Sequence, residues 1–143
     1  MRAMHDFPSK DWAEAYKDAI NANAEYRLHG KDWTHGVVAF VVKADAALGI
    51  EADTALWLDV HGGECRSIQL MSAEEVQSAA FVLFAPYAMW KTIIKKEIDP
   101  IKAMMQNKVK LTKGHMPTIV RYVNASRQLV ESTSRVPTKF RDE

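Results

Sequence analysis

Only one cysteine, Cys65, stands among the 143 residues. No disulfide can form within the chain, so stability must come from a packed core, as suits a reducing cytoplasm. A cytoplasmic location is therefore the expectation. Long apolar runs are missing as well. The longest, Ala79 to Tyr87 (AAFVLFAPY), reaches about half of the roughly 18–20 residues that span a bilayer, and it contains Pro86. The opening stretch MRAMHDFPSKDW lacks the apolar core of a secretory signal. No repeat, low-complexity tract or Pro/Gly/Ser linker divides the chain. It reads as one domain over residues 1–131, followed by a polar tail at 132–143 that is expected to be loosely ordered.

Recognisable reaction chemistry is scarce too. The five histidines (His5, His29, His35, His61 and His115) are scattered, without the helical pair or tight cluster a zinc site needs. No glycine-rich loop followed by Lys-Ser/Thr cradles phosphate, and no Gly-x-Ser-x-Gly elbow presents a nucleophile. Cys65 follows a tight turn, where a small buried strand residue is ordinary. Asp59 and His61 share one strand face with Glu64 just beyond the turn; a solvated face explains them better than an acid–base pair. No catalytic residue, metal or cofactor is expected, and the chain does not read as an enzyme. The rival reading is a small enzyme acting on a hydrophobic substrate through Asp59 and His61.

What is present is an ordinary globular composition, 48% apolar and 26% charged, with an uneven charge distribution. Residues 1–90 carry 7 Lys/Arg against 13 Asp/Glu, and residues 91–143 carry 12 against 5. The basic part shows no nucleic-acid reading motif, so no nucleic-acid partner is expected. A solvated helix face accounts for it, or transient contact with an anionic membrane surface, where each basic residue contributes about 1 kcal/mol.

Periodicity gives the elements. Ser9 is a plausible N-cap for a helix in which Trp12, Ala15, Tyr16, Ala19, Ile20 and Ala24 recur at three- and four-residue spacings until Gly30. GVVAFVVKA from Gly36 is β-branched and reads as a buried strand. DTALWLDVHGGECRSIQLM reads as a hairpin turning at Gly62-Gly63, with Leu56, Leu58 and Val60 on one face. SAAFVLFA supplies a fourth strand, and Ser72 to Glu75 carries a capping-box pattern for a single turn. Pro86 opens a helix through YAMWKTIIKKE, whose apolar face is Met89, Trp90, Ile93 and Ile94. Asp99-Pro100 reads as N-cap and first helical position of a second helix bearing Ile101, Met104 and Met105. KVKLTKG alternates lysines with Val109 and Leu111, the pattern of an edge strand with one buried face. Pro117 opens a last helix with Met116, Ile119, Val120, Val123 and Val130.

The passage IDPIKAMMQNKVKLTKGHMPTIVRYVNASRQL, after a hairpin bearing Trp57 and Gly62-Gly63, resembles the C-terminal signature of the sterol carrier protein type-two (SCP-2-like) family. Likeness extends over residues 12–131 and is specific over 87–130. Ala103, Met104 and Met105 stand at the family's small and bulky apolar positions, while Val109, Leu111 and Gly114 keep its alternation and turn. Asn107 replaces the usual glycine before Lys108, and His115-Met116-Pro117 replaces the usual acidic residue after the closing glycine. The resemblance implies an α+β fold: a five-stranded, largely antiparallel sheet, helices on one face, and an apolar cavity between them. It implies binding, and intracellular transfer, of a lipid or other hydrophobic small molecule. Nothing in the residues selects a fused ring, so a fatty acyl or isoprenoid ligand is expected over a sterol. Ligand contacts would come from Met89, Trp90, Ile93 and Ile94, from Ile101, Met104 and Met105, from Val109 and Leu111, and from Met116, Ile119, Val120 and Val123. Lys91, Lys95, Lys96, Lys108 and Lys110 would meet a headgroup or membrane. The chain would be a monomer or homodimer; the alternative function is a dimerisation module using the same apolar helix faces.

Overall fold

Seven β-strands and six α-helices appear in the computed structural model, which describes residues 4–143. They are β1 (His5–Phe7), α1 (Lys10–Asn21), α2 (Ala24–Gly30), β2 (Val38–Val42), β3 (Thr54–His61), β4 (Glu64–Ser72) and β5 (Phe81–Ala85), then α3 (Tyr87–Ile94), α4 (Pro100–Met105), β6 (Lys110–Lys113), α5 (Met116–Arg121), α6 (Val123–Ser134) and β7 (Thr138–Phe140). The main sheet has the order β4-β3-β2-β5-β6. Its neighbours are antiparallel except β2 and β5, which run parallel because the β3–β4 hairpin folds out on the far side of β2 before the chain crosses back. The expected α+β class and largely antiparallel five-stranded sheet are those of the structure.

Side-chain alternation divides the sheet. Val38, Val42, Leu56, Leu58, Val60 and Leu83 belong to the main core beneath the helices. Ala39, Val41, Ala55 and Val82 turn to the other face, where the 3-10 turn at Glu75–Ser78 covers part of the surface through Val76. Ser72 Oγ donates to Glu75 Oε1 at 3.1 Å, but the residue flanking the turn is Glu74 and no side chain caps it, so the expected capping box is not formed. β6 lies at the sheet edge, where Lys108, Lys110 and Lys113 oppose pairing with another chain.

Three boundaries differ from the expected ones. The first helix breaks at Ala22-Asn23, because Asn23 starts a new helix. Its side-chain oxygen accepts from Glu25 N (3.0 Å) and Tyr26 N (3.2 Å), and its amide donates to Gln128 Oε1 and Ser132 Oγ on α6, both at 3.1 Å. The last helix breaks at Tyr122, giving α5 and α6. The third difference is a correction: 132–143 is not a loose tail. Residues 132–134 finish α6, and β7 pairs in parallel with β1, burying Phe140 beside Phe7 and Tyr87. Polar composition hid the single aromatic that holds this segment.

Asn23 is only 1% exposed and serves as cap and inter-helix tie together. Asn23→Ala is expected to cost about 2–3 kcal/mol, combining a lost cap with unpaired buried groups. Urea denaturation should show a lower midpoint at unchanged slope.

Candidate apolar cavity

The helices reach the sheet through a few polar anchors that leave apolar faces turned inward. Trp90 on α3 donates its indole N–H to the Val41 carbonyl at 2.9 Å, fixing α3 over β2. Tyr16 on α1 donates its hydroxyl to the Leu129 carbonyl at 2.9 Å, tying α1 to α6. Asp99 caps α4, accepting from Lys102 N at 3.1 Å, with Pro100 at the first helical position. Asp99 also accepts from Arg127 Nε at 2.8 Å, so the cap doubles as the α4–α6 clasp. Asn107, which closes α4, has φ 60°. The position where the resembling family has glycine thus does adopt glycine's left-handed backbone, and asparagine is among the side chains that tolerate it best.

Between the sheet and the six helices lies a void of about 90 Å3 with an apolar wall. An engineered apolar cavity that accepts benzene has roughly 150 Å3. The expected lipid-sized cavity is therefore not open in this conformation. Of the residues expected to touch ligand, Trp90, Ile93, Ile94, Ile101, Met104, Val109 and Ile119 are brought together on the wall. The other six lie off it. Met105 is 71% exposed and Val120 47% exposed, both on outer helix faces. Met89, Leu111 and Met116 pack against the core from behind the wall, and Val123 is half-buried at the start of α6. Sequence reading missed the first half of the chain's contribution, in which Phe7, Trp12, Tyr26, Trp33 and Phe40 line the void. Trp12 and Phe40 were legible as core from their helix and strand, but Phe7, Tyr26 and Trp33 belonged to no stripe, and nothing in the spacing said that this core is incompletely filled.

The five lysines divide as well. Lys91 pairs with Asp142 (2.9 Å) and Glu143 (2.6 Å), Lys95 with Glu143 (2.7 Å), and Lys96 with Glu131 (2.9 Å). Hydrogen bonds from Lys91 and Lys95 hold the Glu143 carboxyl down at about 2. Lys108 and Lys110 form no ion pair among the described residues.

The reactive groups are otherwise engaged. Burial pushes the Cys65 thiol up to about 12, keeping it from the thiolate that nucleophilic chemistry requires. Asp59 is held by Arg66 through two bonds at 2.8 and 3.1 Å, and His61 sits exposed at the strand end. Among the described residues no three His, Cys, Asp or Glu side chains converge as a metal site, and no helix is long and apolar enough to cross a membrane.

An antiparallel-rich sheet covered on one face by short helices, around an uncharged and incompletely filled core, defines a class of small α+β proteins built to enclose apolar matter. Residues 14–124 match the model of the SCP-2 sterol transfer family, and the chain belongs to that family. It is similar to a crystal structure of sterol carrier protein 2, with 29% identity, TM-score 0.84, and coverage of 90% of this chain and 97% of that one. It is also similar to a conserved hypothetical protein of Thermus thermophilus, described as possibly a sterol carrier protein, with 27% identity, TM-score 0.85 and coverage of 97% and 94%. Ligand-free sterol carrier protein 2 from Yarrowia lipolytica shares the fold at 14% identity and TM-score 0.55, with coverage of 89% and 92%. No curated protein matches the sequence significantly.

Proposed function

We propose that this protein binds one hydrophobic molecule of fatty acyl, isoprenoid or similar type in the core void and carries it, without chemical conversion. The observation that carries this reading is the wall itself: none of its side chains is charged, and the space inside is unfilled. Family membership supports lipid binding in general. Each CH2 group moved from water into such a wall contributes about 0.8 kcal/mol, so a chain of moderate length binds without a charged anchor. Uptake requires the void to widen. The short helices α4 and α5 are the walls best suited to yield, since each has fewer backbone hydrogen bonds than α1 or α6 and hangs between non-helical joints at Lys96, Asn107 and Tyr122. Lys108 and Lys110 are the lysines left for an anionic membrane during loading.

Adjacent methionines supply the test. Met104 lies on the wall and Met105 outside it. Met104→Glu is expected to lower the affinity for a fluorescent fatty acid at least thirtyfold, because a carboxylate on the wall has no partner. Met105→Glu should change it less than twofold. Circular dichroism on both variants separates lost binding from lost fold. Equal affinities in the two folded variants would count against the cavity as the binding place.

The alternative dimerisation role loses much of its surface, because the apolar faces of α3, α4 and α6 turn inward; Met105 and Val120 are the large apolar side chains they and α5 leave open.

A further inference from the structure

A second space borders the void. An open cleft runs between the end of α3, at Lys95 and Lys96, and the last strand, at Thr138 and Phe140. Ile94, itself 7% exposed, lines both the cleft and the void. Two neighbouring places are as thin. Trp12 on the void wall donates its indole N–H at 2.9 Å to Thr138 Oγ1, and Thr138 lines the cleft. Thr133 lines the void while the next residue, Ser134, lines the cleft. One layer of side chains therefore separates the interior from an open surface here.

What closes the rim is weak. Lys95 reaches across to Glu143 at 2.7 Å, and Lys96 to Glu131 on α6 at 2.9 Å. All four side chains are partly exposed to water, where such pairs hold loosely and salt screens them. Lys96 also has φ 62°, a backbone region that disfavours lysine, and it is the joint from which α4 hangs. β7 belongs to a two-stranded pair with β1 that stands apart from the main sheet, an arrangement of small intrinsic stability. Arg141 meanwhile keeps this segment attached through the Pro8, Leu48 and Gly49 carbonyls. The parts able to yield are thus the two ion pairs and Ile94.

We propose that this cleft is the entry port of the void, with Ile94 as its gate and the Lys95–Glu143 and Lys96–Glu131 pairs as the clasps that hold it shut. The occupant in transit is a single acyl chain, which passes tail first because the rim is charged and the gate is apolar. The inference rests on the lipid-binding reading and adds the route. Opening at the Lys96 joint also frees α4, one of the two helices best suited to yield as the void widens. Neither Glu131 nor Glu143 lines the void, so removing them changes the rates of entry and exit and not the affinity.

Trp12, Trp33 and Trp90 line the void, so energy transfer from them to cis-parinaric acid reports entry in a stopped-flow instrument. Glu131→Gln combined with Glu143→Gln is expected to raise the association and dissociation rates together by about three- to tenfold, with Kd changed less than about twofold. Raising salt from about 10 mM to about 500 mM should speed wild type in the same way and the double variant little. A second measurement blocks the port. Ser134→Cys, in the cleft, and Met105→Cys, 71% exposed and outside it, are each coupled through the new thiol to a maleimide-polyethylene glycol, while the Cys65 thiol is buried. The polymer at position 134 should slow both rates at least about tenfold, and the polymer at position 105 less than about twofold. Circular dichroism establishes that each protein compared is folded. Unchanged rates with the polymer at position 134 overturn the proposal, as does equal slowing from both positions or a glutamine pair that alters Kd through one rate alone. If wild type binds no cis-parinaric acid, the lipid-binding reading falls and the port with it. If it binds and the polymer at position 134 changes nothing, only the port falls.

Discussion

Ala125→Leu is expected to abolish lipid uptake while leaving the protein as stable as before. Ala125 lies on α6 with its methyl on the cavity wall and is almost fully buried. Leucine adds three carbons that point into the void of about 90 Å3. Burying them contributes about 2 kcal/mol at 0.8 kcal/mol per carbon, and crowding in a packed core takes back about 1–3 kcal/mol. The net change in stability should lie within about 1 kcal/mol of zero. Binding has no such compensation. Any ligand must occupy volume that the leucine now holds, and displacing it forfeits the burial just gained. Affinity for a fluorescent fatty acid should drop at least thirtyfold. Val120→Leu, on the outer face of α5, adds a similar side chain outside the wall and should leave affinity unchanged. Undiminished uptake by folded Ala125→Leu would place the ligand elsewhere.

The second large effect concerns folding. Gly63→Ala is expected to cost about 2–5 kcal/mol, against about 1 kcal/mol for its neighbour Gly62→Ala. Both residues turn the β3–β4 hairpin with positive φ, 61° at Gly62 and 82° at Gly63. Forcing an alanine into that region costs about 1–2 kcal/mol at either position. Surroundings then separate them. A Cβ on Gly62 meets only the Lys31 carbonyl at 3.9 Å, while one on Gly63 lands 2.6 Å from the Arg27 carbonyl oxygen and 3.1 Å from its Cα. These are backbone atoms of α2, which cannot swing aside as a side chain can, so overpacking adds about 1–3 kcal/mol. Thermal unfolding should show a drop of about 10 °C for Gly63→Ala and a few degrees for Gly62→Ala. Equal melting temperatures for the two variants would contradict the close approach of α2 to the hairpin.

Local chemistry made much of this fold legible. Alternation assigned the inner face of β3; β-branched and apolar runs marked β2 and β5 as strands; the Gly62-Gly63 pair marked the hairpin; Asp99-Pro100 marked the start of α4; and alternating lysines marked β6 as an edge. Each of these signals acts within a few residues, where sterics and capping decide the backbone. The break at Asn23 had a local signal too, an asparagine two residues before Glu25. It was outweighed by a helical stripe that continues through it, and the bonds that favour the break reach Gln128 and Ser132 on α6.

Other features had no local signal. Met104 and Met105 are neighbours of the same type on a helix of six residues, too short for its periodicity to say which one faces inward. The clasp to Arg127 on α6 sets that rotation, turning Met104 to the wall and Met105 to solvent. Lys91 and Lys95 looked available to a membrane until the segment bearing Asp142 and Glu143 folded back over them. Sequence alone determined the α+β class, the order of the strands along the chain and the apolar character of one face of each element, because these follow from short-range sterics and from the period of the apolar residues. Tertiary structure alone decided which apolar residues meet across the void and how little space they leave, because packing volume depends on groups brought together from distant parts of the chain.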